Sequence, residues 1–386
     1  MICLRSTRLF RSVPLRTPIR SMITSHAVMI RQHGEPADVL FTQSYTIDDE
    51  HLAPNAVIVK VLASPINPSD INQIQGVYPS QPQKTTQYGT SFPSFVCGNE
   101  GLFEVVKVGA SVTSVAPGDW ALPLRVCSGT WRTYAEFSDD VLFKIPSPAQ
   151  STARGKTPLT LQQGAALTVN PLSAYLMLTH FVEPKPGNWF IQNGGNSAVG
   201  KFASQMGRLL GLNSISVIRD RPNLDEVKQQ LHDTYGATHV ITEEENNSRE
   251  FSGVVKKWLS ESGGSLQLGL NCVGGKSSTG VARKLQDNGI MLTYGGMSFQ
   301  PVILPTSLHI FKNITSAGFW CTRIVEENLQ LKKEILEKII SWYEDGELLE
   351  AASTASEYTG GDLASFYSER IADSKSGKQV VVNAVE

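Results

Sequence analysis

The feature that most constrains this chain is the stretch at residues 189–200, WFIQNGGNSAVG. A short apolar run leads into small, glycine-rich residues, and apolar positions then recur at helical spacing until Gly211. This pattern predicts a buried parallel strand, a tight turn and an amphipathic helix. Such a turn directs free backbone N–H groups and the positive end of the helix dipole at an anion. We expect that anion to be a dinucleotide pyrophosphate.

The turn is an incomplete form of the dinucleotide fingerprint. Aligned on its last glycine it reads Gly195-x-Ser197-x-x-Gly200, with serine at the middle position of the three-glycine motif. Serine is small enough for a ligand to approach the backbone closely. An ordinary strand-to-helix connection in any α/β protein fits the same residues, so the turn alone does not decide between the two.

The composition indicates a globular chain with a large core. Of its 386 residues 41% are hydrophobic and 18% are charged, which favours two domains. No window approaches the roughly 18 consecutive apolar residues of a membrane span. The cysteines are far apart and lack CxxC spacing, so neither a disulfide framework nor a structural zinc site is expected. They are Cys3, Cys97, Cys127, Cys272 and Cys321.

Residues 1–22 differ from the rest of the chain. They hold five arginines, several Ser, Thr and Leu residues, and no acidic residue. This composition is typical of a mitochondrial presequence, with a basic arm that contacts nucleic acid as the alternative. Removal of the five arginines takes the formal charge from −2 to −7. We therefore expect an acidic mature protein without a nucleic-acid-binding surface.

The order of the predicted elements divides the chain. Alternating strands and turns before residue 166, among them the β pattern at residues 55–62, predict a barrel-like domain at 23–165. Strands and helices then alternate through residues 166–322, which predicts a doubly wound parallel sheet. The segment 323–386 ends in a strand pattern, and we expect it to return to the first domain.

Ligands of such a sheet bind beyond the carboxyl ends of its strands. The second strand ends in Arg219-Asp220-Arg221. Two guanidinium groups favour the 2′-phosphate of NADP, whereas Asp220 fits a ribose of NAD unless it points aside or braces an arginine. Solvated charges in a plain loop are the remaining alternative.

The ends of two later strands carry small and aromatic residues. Tyr294-Gly295-Gly296-Met297 would permit close approach of a nicotinamide ribose. Phe319 and Trp320 would line a pocket or belong to the core, and the residues alone do not separate these possibilities.

A long loop at residues 75–94, rich in Pro, Gln and Thr, contains Tyr78 and Tyr88. A loop of this length is usually functional or mobile. A phenol stays protonated at neutral pH and can donate a proton, although either tyrosine could instead be a packing residue.

Segments distributed along nearly the whole chain after the leader carry a resemblance to a known family. They are SPINPSDINQIQGVYPS (64–80), GNEG (98–101), GTWRTYA (129–135), VNPLSAYLML (169–178), IQNGGNSAVG (191–200), ISVIRDRPNLDE (215–226), NCVGGKSSTG (271–280) and LTYGGMSFQP (292–301). With these segments the chain resembles the medium-chain dehydrogenase/reductase superfamily and, within it, the fungal mitochondrial 2-enoyl thioester reductases. Zinc-dependent members of the superfamily carry Gly-His-Glu at the position of Gly98-Asn99-Glu100, so no metal is expected here.

The resemblance implies an α/β fold with a GroES-like β-barrel catalytic domain and a Rossmann domain. It also implies NADPH-dependent reduction of trans-2-enoyl thioesters of acyl carrier protein or coenzyme A in mitochondrial fatty acid synthesis, by a homodimer. Tyr78 would be the active-site tyrosine, and Trp320 would lie beside the acyl pocket. The residues implied to contact NADPH are Asn170, Asn196, Ser197, Ala198, Val199, Arg219, Asp220, Arg221, Tyr294, Gly295, Gly296, Met297, Phe319, Trp320, Cys321 and Lys378.

Two other functions are compatible with the same architecture. A zinc-free NADPH:quinone reductase shares the fold and cofactor but needs no proton donor at Tyr78. A binding or regulatory protein would retain the fold without turnover, because fold alone does not establish activity.

Overall fold

The computed structural model describes residues 22–374 and 377–385, so the expected presequence lies outside the described residues except for Met22. The strands are β1 (Met22–Ile30), β2 (Leu40–Asp48), β3 (Ala56–Ile66), β4 (Phe95–Val96), β5 (Leu102–Val108), β6 (Trp120–Pro123), β7 (Tyr134–Ser138), β8 (Leu142–Ile145), β9 (Trp189–Gln192), β10 (Asn213–Ile218), β11 (His239–Thr242), β12 (Leu266–Asn271), β13 (Ile290–Thr293), β14 (Thr315–Gly318), β15 (Ser353–Tyr358) and β16 (Lys378–Asn383).

The helices connect these strands or pack on the sheets. They are α1 (Pro36–Val39), α2 (Pro68–Ile74), α3 (Pro148–Ala153), α4 (Leu161–Ala165), α5 (Asn170–Thr179), α6 (Ala198–Leu209), α7 (Leu224–Asp233), α8 (Glu243–Asn247), α9 (Phe251–Ser262), α10 (Gly275–Lys284), α11 (Thr306–Lys312), α12 (Cys321–Glu327), α13 (Leu329–Glu344) and α14 (Leu363–Asp373). Within the described ranges, no helix combines the length and apolar character that crossing a bilayer requires.

The first domain is built from two β-sheets. One has the order β2-β1-β4, and the other has the order β15-β16-β3-β5-β6-β8, with β7 paired to β3. The segment around Trp131 joins them, because the Val28 N–H donates to the Trp131 carbonyl and Ala27 forms an isolated bridge with Arg132. Trp131 is fully buried between the sheets. The result is the expected barrel-like arrangement.

The C-terminal segment completes this domain. β16 pairs antiparallel with β3, so that Val381 lies opposite Ser64. β15 then pairs parallel with β16 at the edge of the sheet. This pairing brings Lys378, at the start of β16, next to the residues that follow β3.

The second domain is a six-stranded sheet of order β11-β10-β9-β12-β13-β14. All five strand pairs are parallel, which confirms the doubly wound sheet. β9 lies at the centre, and Phe190 and Ile191 within it are fully buried. The strand order reverses between β9 and β12, and ligands of such sheets bind in the crevice at that point, beyond the carboxyl ends of the strands.

Two elements were not among the sequence predictions, because they form without an apolar pattern. α2 arises in a stretch that carries no helical periodicity. It begins at Asn67 with a capping box in which Asp70 takes part, and Pro68 occupies the first turn. β15 has the sequence STASEY, which lacks apolar alternation, and it forms at a sheet edge where pairing with β16 supplies the hydrogen bonds.

Candidate active site

The structure of the turn after β9 accounts for the serine at the middle position of the three-glycine motif. A Cβ on Gly195 would lie 2.7 Å from the Ser216 Cβ, and a Cβ on Gly200 would lie 2.7 Å from the carbonyl oxygens of Gly194 and Gly195. Glycine is therefore required by close packing at both positions. Ser197 is exposed, and its hydroxyl accepts from the Gly200 N–H at 3.1 Å as the cap of α6. Serine at this position thus starts the helix.

The predicted residues around the cap present hydrogen-bonding groups to the crevice. Ala198 and Val199 form the first turn of α6, where backbone N–H groups lack partners within the helix. The side-chain oxygen of Asn196 is buried and has no hydrogen-bond partner among the described residues. A buried acceptor without a partner is costly, so this oxygen is suited to receive a donor from a bound ligand.

Beyond β10, the structure separates the roles of Arg219, Asp220 and Arg221. The Asp220 carboxylate accepts from the Arg221 backbone N–H at 2.9 Å, so it braces its own loop. Arg221 donates from Nε to the Arg219 carbonyl at 3.4 Å. Neither guanidinium pairs with a carboxylate of the described ranges. Both can therefore hold an external phosphate.

Lys201 lies near Arg221 at this end of the crevice, and the sequence does not indicate that it is buried. It lies in α6 and is only 9% exposed, with Nζ 4.8 Å from the centroid of the Tyr235 ring. Burial and the nearby charge of Arg221 lower the pKa of Lys201. A single lysine in a helix gives no sequence signal of burial, because such residues usually face solvent.

The residues after β13 form the next part of the crevice. Tyr294 donates its backbone N–H to the Asn271 carbonyl at 2.9 Å, and burial raises the pKa of its phenol well above the ordinary value. A Cβ on Gly295 would lie 3.2 Å from the Cys272 Cβ. Gly296 is exposed, and Met297 is 64% exposed. The chain is therefore close-packed at Tyr294 and Gly295 and open at the next two residues.

Tyr78 and Trp320 meet where the two domains face each other. The indole Nε1–H of Trp320 donates to the Tyr78 phenol oxygen at 2.9 Å. The two rings are edge-on, at 80° with centroids 6.2 Å apart. Tyr78 follows α2 of the first domain and Trp320 follows β14 of the second, so the contact spans 242 residues of sequence.

The neighbouring aromatic residues have packing roles. Phe319 is 7% exposed and packs edge-on against Phe181, so its side chain belongs to the core. Tyr88 packs against Tyr45, and its phenol oxygen accepts from Arg132. Of the two loop tyrosines, only Tyr78 faces the second domain.

Asn170 and Cys321 begin neighbouring helices. Asn170 is the half-buried first residue of α5, and Cys321 starts α12, which packs on α5. Burial raises the pKa of the Cys321 thiol to about 11, so it is neutral at physiological pH. A neutral thiol is a weak nucleophile, which makes packing or contact with a ligand its expected role.

A buried polar network is centred on Asn99 of the Gly98-Asn99-Glu100 segment. The amide nitrogen of Asn99 donates to Asp70 at 2.6 Å and to Gln73 at 2.6 Å. Its amide oxygen accepts from the Cys127 backbone N–H at 2.9 Å. Burial raises the pKa of Asp70 to about 6. The described parts of the chain contain no group of three His, Cys, Asp or Glu side chains that could hold a metal.

Lys378 joins this network from the C-terminal strand. Its amine donates to the Asn67 amide oxygen and lies 3.6 Å from the Glu100 carboxylate. Asn67 also donates to Glu100 at 2.7 Å. Burial lowers the pKa of Lys378. The motifs around Asn67 and Glu100 were visible in the sequence, but their meeting with a lysine 311 residues away was not.

Comparison with known proteins agrees with this architecture. Residues 53–147 match the family described as Alcohol dehydrogenase GroES-like domain. We call the glycine-rich turn at residues 193–200 the nucleotide turn. A GroES-like domain joined to a doubly wound sheet that carries such a turn defines a medium-chain dehydrogenase/reductase. The chain is 61% identical over 374 residues to Enoyl-[acyl-carrier-protein] reductase 1, mitochondrial, of Candida tropicalis, covering 96% of this chain and 97% of the relative. It belongs to the family of mitochondrial enoyl-[acyl-carrier-protein] reductases.

Two further matches bear on substrate and cofactor. The solved complex of Etr1p with NADP and crotonyl-CoA is 62% identical, with a TM-score of 0.92, and the match covers 93% of this chain and 100% of that one. An NADPH quinone oxidoreductase of Kluyveromyces marxianus is 42% identical over 308 residues, covering 79% of this chain and 78% of the relative.

Proposed function

We propose that this chain is a mitochondrial enzyme that reduces trans-2-enoyl thioesters to saturated acyl thioesters with NADPH. The observation that carries the chemical part is the hydrogen bond from Trp320 to Tyr78 at the junction of the domains. The relatives named enoyl-[acyl-carrier-protein] reductases, and the Etr1p complex with NADP and crotonyl-CoA, support the substrate class and the cofactor.

The residues around the crevice fit NADPH. The turn at residues 193–200 would bind the pyrophosphate through backbone N–H groups of α6, with Asn196 to Val199 lining it. Arg219 and Arg221 would hold the 2′-phosphate, because neither guanidinium forms an ion pair with a described carboxylate and Asp220 accepts from the backbone of its own loop. Asn170, Tyr294 to Met297, Trp320, Cys321 and Lys378 would contact the remainder, together with the backbone of Phe319, whose side chain lies in the core. NADPH, when bound, supplies the hydride that is added to the β-carbon of the enoyl chain.

Tyr78 then has a defined task. Hydride addition leaves negative charge on the thioester oxygen and the α-carbon, and this charge needs a hydrogen-bond donor and finally a proton. Because the Tyr78 oxygen accepts from the Trp320 indole, its own O–H remains available to the substrate. The indole also stabilises the oxygen as the proton leaves. Tyr78 therefore either protonates the α-carbon or positions the thioester, and Trp320 orients Tyr78 beside the acyl chain.

We also propose that the chain acts on acyl carrier protein or coenzyme A thioesters and forms a homodimer. β14 is the outer strand of its sheet, and its backbone edge is unpaired among the described strands. Exposed apolar side chains lie in the same domain, with Phe299 94%, Phe311 79% and Ile310 66% exposed. A second copy is the proposed cover of this face. A light-scattering mass of one chain would contradict the dimer.

The test of the function is to incubate the full chain with NADPH and either crotonyl-CoA or a quinone. We expect NADPH oxidation with stoichiometric butyryl-CoA, and much slower oxidation with quinone. The Kluyveromyces marxianus relative makes quinone reduction the second candidate. Rapid quinone reduction without thioester reduction would overturn the proposal. NADPH binding without turnover on either substrate would instead indicate a non-catalytic protein.

A further inference from the structure

The first domain contains a cavity that the proposed reaction does not use. It has a volume of about 290 Å³ and lies between the loop at residues 82–96 and the segment at residues 127–132. Its lining includes Lys84 and Arg132, neutral polar side chains such as Gln87 and Ser128, and no acidic residue.

Arg132 is the unusual member of this lining, because it is a buried cation without a counter-ion. Arg132 is only 6% exposed. It donates to the phenol oxygens of Tyr45 and Tyr88, at 3.4 and 3.2 Å, and to the Ser128 carbonyl at 3.1 Å. The Nε–H has no partner, and no carboxylate in the described ranges pairs with the guanidinium.

This arrangement leaves the charge of Arg132 incompletely compensated. A guanidinium cannot lose its proton at any physiological pH, so it cannot become neutral when buried. Phenol oxygens, one carbonyl and the face of Phe137, 5.1 Å away, offer dipoles but no negative charge. Buried charges in proteins are normally paired, and an anion in the cavity would complete this pairing.

A second cation stands at the mouth of the cavity. Lys84 is exposed and donates from Nζ to the Arg31 carbonyl at 2.8 Å, and it forms no ion pair with the described carboxylates. Together with Arg132 it gives the lining two positive charges. Two positive charges and several neutral donors suit a phosphate dianion, which has several strong acceptor oxygens.

We propose that this cavity is a binding site for a phosphate group, with Arg132 as its buried cation and Lys84 as its outer one. Binding of a free phosphate does not depend on the proposed reductase activity, whereas binding of a thiol carrier's phosphate rests on it. The phosphate could be free, or it could belong to the phosphorylated arm of a thiol carrier. Both share the same recognition chemistry.

The experiment is calorimetric titration of inorganic phosphate into the full chain saturated with NADP⁺, which fills the 2′-phosphate site. We expect saturable binding of one phosphate per chain. Lys84→Glu should weaken it about fivefold or more, whereas Lys257→Glu, an equal charge change at an exposed position of α9, should leave it unchanged. Arg132→Met should abolish it.

If Arg132→Met does not fold, the comparison of Lys84→Glu with Lys257→Glu still tests whether phosphate binds in this cavity. A purely structural role of Arg132, which holds Tyr45, Tyr88 and Ser128 together, predicts no saturable phosphate binding by the wild-type chain. That result, or equal affinity in the Lys84→Glu variant, would overturn the proposal. Displacement of the bound phosphate by coenzyme A but not by pantetheine would assign the site to the carrier arm, and displacement by neither would assign it to a free anion.

Discussion

The Tyr78–Trp320 hydrogen bond leads to the first prediction at the residue scale. Tyr78→Phe keeps the ring and removes the proton donor, so we expect kcat on crotonyl-CoA to fall about 10²–10⁴-fold while the KM for NADPH stays nearly constant. Trp320→Phe removes only the indole donor and should cost less, about tenfold. Steady-state kinetics and circular dichroism of both variants make the measurement. A folded Tyr78→Phe variant with unchanged kcat would remove Tyr78 from the mechanism.

Cofactor choice is the second prediction at this scale. We expect the double variant Arg219→Ala, Arg221→Ala to raise the KM for NADPH at least about tenfold, because two charge-assisted contacts to the 2′-phosphate are lost. The KM for NADH should change little. Asp220→Asn is the matched control, since among the described residues its carboxylate accepts from the Arg221 backbone alone. Equal losses for NADPH and NADH would contradict the assignment.

Asp70 gives a pH-dependent prediction. Burial raises the pKa of Asp70 from its ordinary value of 3.8 to about 6 in the folded chain. Since the folded state then binds more protons than the unfolded state between about pH 4 and about pH 6, stability falls as pH rises through this range. Asp70→Asn should reduce the loss of stability between pH 4.5 and pH 7 by about 2 kcal/mol. Urea unfolding at pH 4.5 and pH 7 measures it, and parallel pH slopes for both chains would refute it.

The sequence singled out candidate site residues more readily than it indicated their partners. The family resemblance implied Tyr78, and the place of Arg219 and Arg221 at a strand end marked them as candidates for binding a phosphate. The network that joins Asn67, Glu100 and Lys378 depends on the pairing of β16 with β3, and local sequence patterns carry no information on pairing across 311 residues. The burial of Lys201 was not predictable for a similar reason, because it depends on Tyr235 of a later element.

At the scale of elements, close packing leaves no room for a side chain at Gly200 of the nucleotide turn. A methyl group at Gly200 would meet backbone oxygens at 2.7 Å, which cannot move without distorting the turn. Gly200→Ala should therefore destabilise the fold by about 1–3 kcal/mol and raise the KM for NADPH.

Gly253 supplies the matched control. It lies in α9, and a Cβ there would meet nothing within 4 Å. Gly253→Ala should stabilise the chain by up to about 1 kcal/mol without a change in KM. Thermal unfolding and NADPH kinetics of the two variants test the pair. Equal effects at both glycines would show that close packing does not restrict the turn.

Elements whose apolar residues follow a clear pattern were predictable from the sequence. Elements formed by local capping or by pairing at a sheet edge were not. α6 and α13 follow from apolar residues on one face, and β10 and β12 follow from short apolar runs between turns. α2 depends on the Asn67–Asp70 capping box, and β15 depends on pairing with β16. Neither leaves a hydrophobic pattern that a reader of the sequence could recognise.

At the scale of the whole molecule, the proposed reaction draws its residues from both domains. The doubly wound sheet presents the nucleotide turn, Arg219 and Arg221 at its carboxyl edge, and the barrel-like domain presents Tyr78 from the loop after α2. The Trp320 indole connects the two across the interface. We propose boundaries at 23–165, 166–322 and 323–386 for these domains, with the last segment returning to the first domain through β16.

The most direct test of the account follows the hydride itself. The full chain is incubated with NADPH carrying deuterium at both C4 positions of the nicotinamide and with crotonyl-CoA in ordinary water, and the product is examined by mass spectrometry and NMR. The account predicts butyryl-CoA with one deuterium, at the β-carbon, and a solvent-derived proton at the α-carbon. Oxidation of NADPH without saturated thioester, or deuterium at the α-carbon, would contradict it.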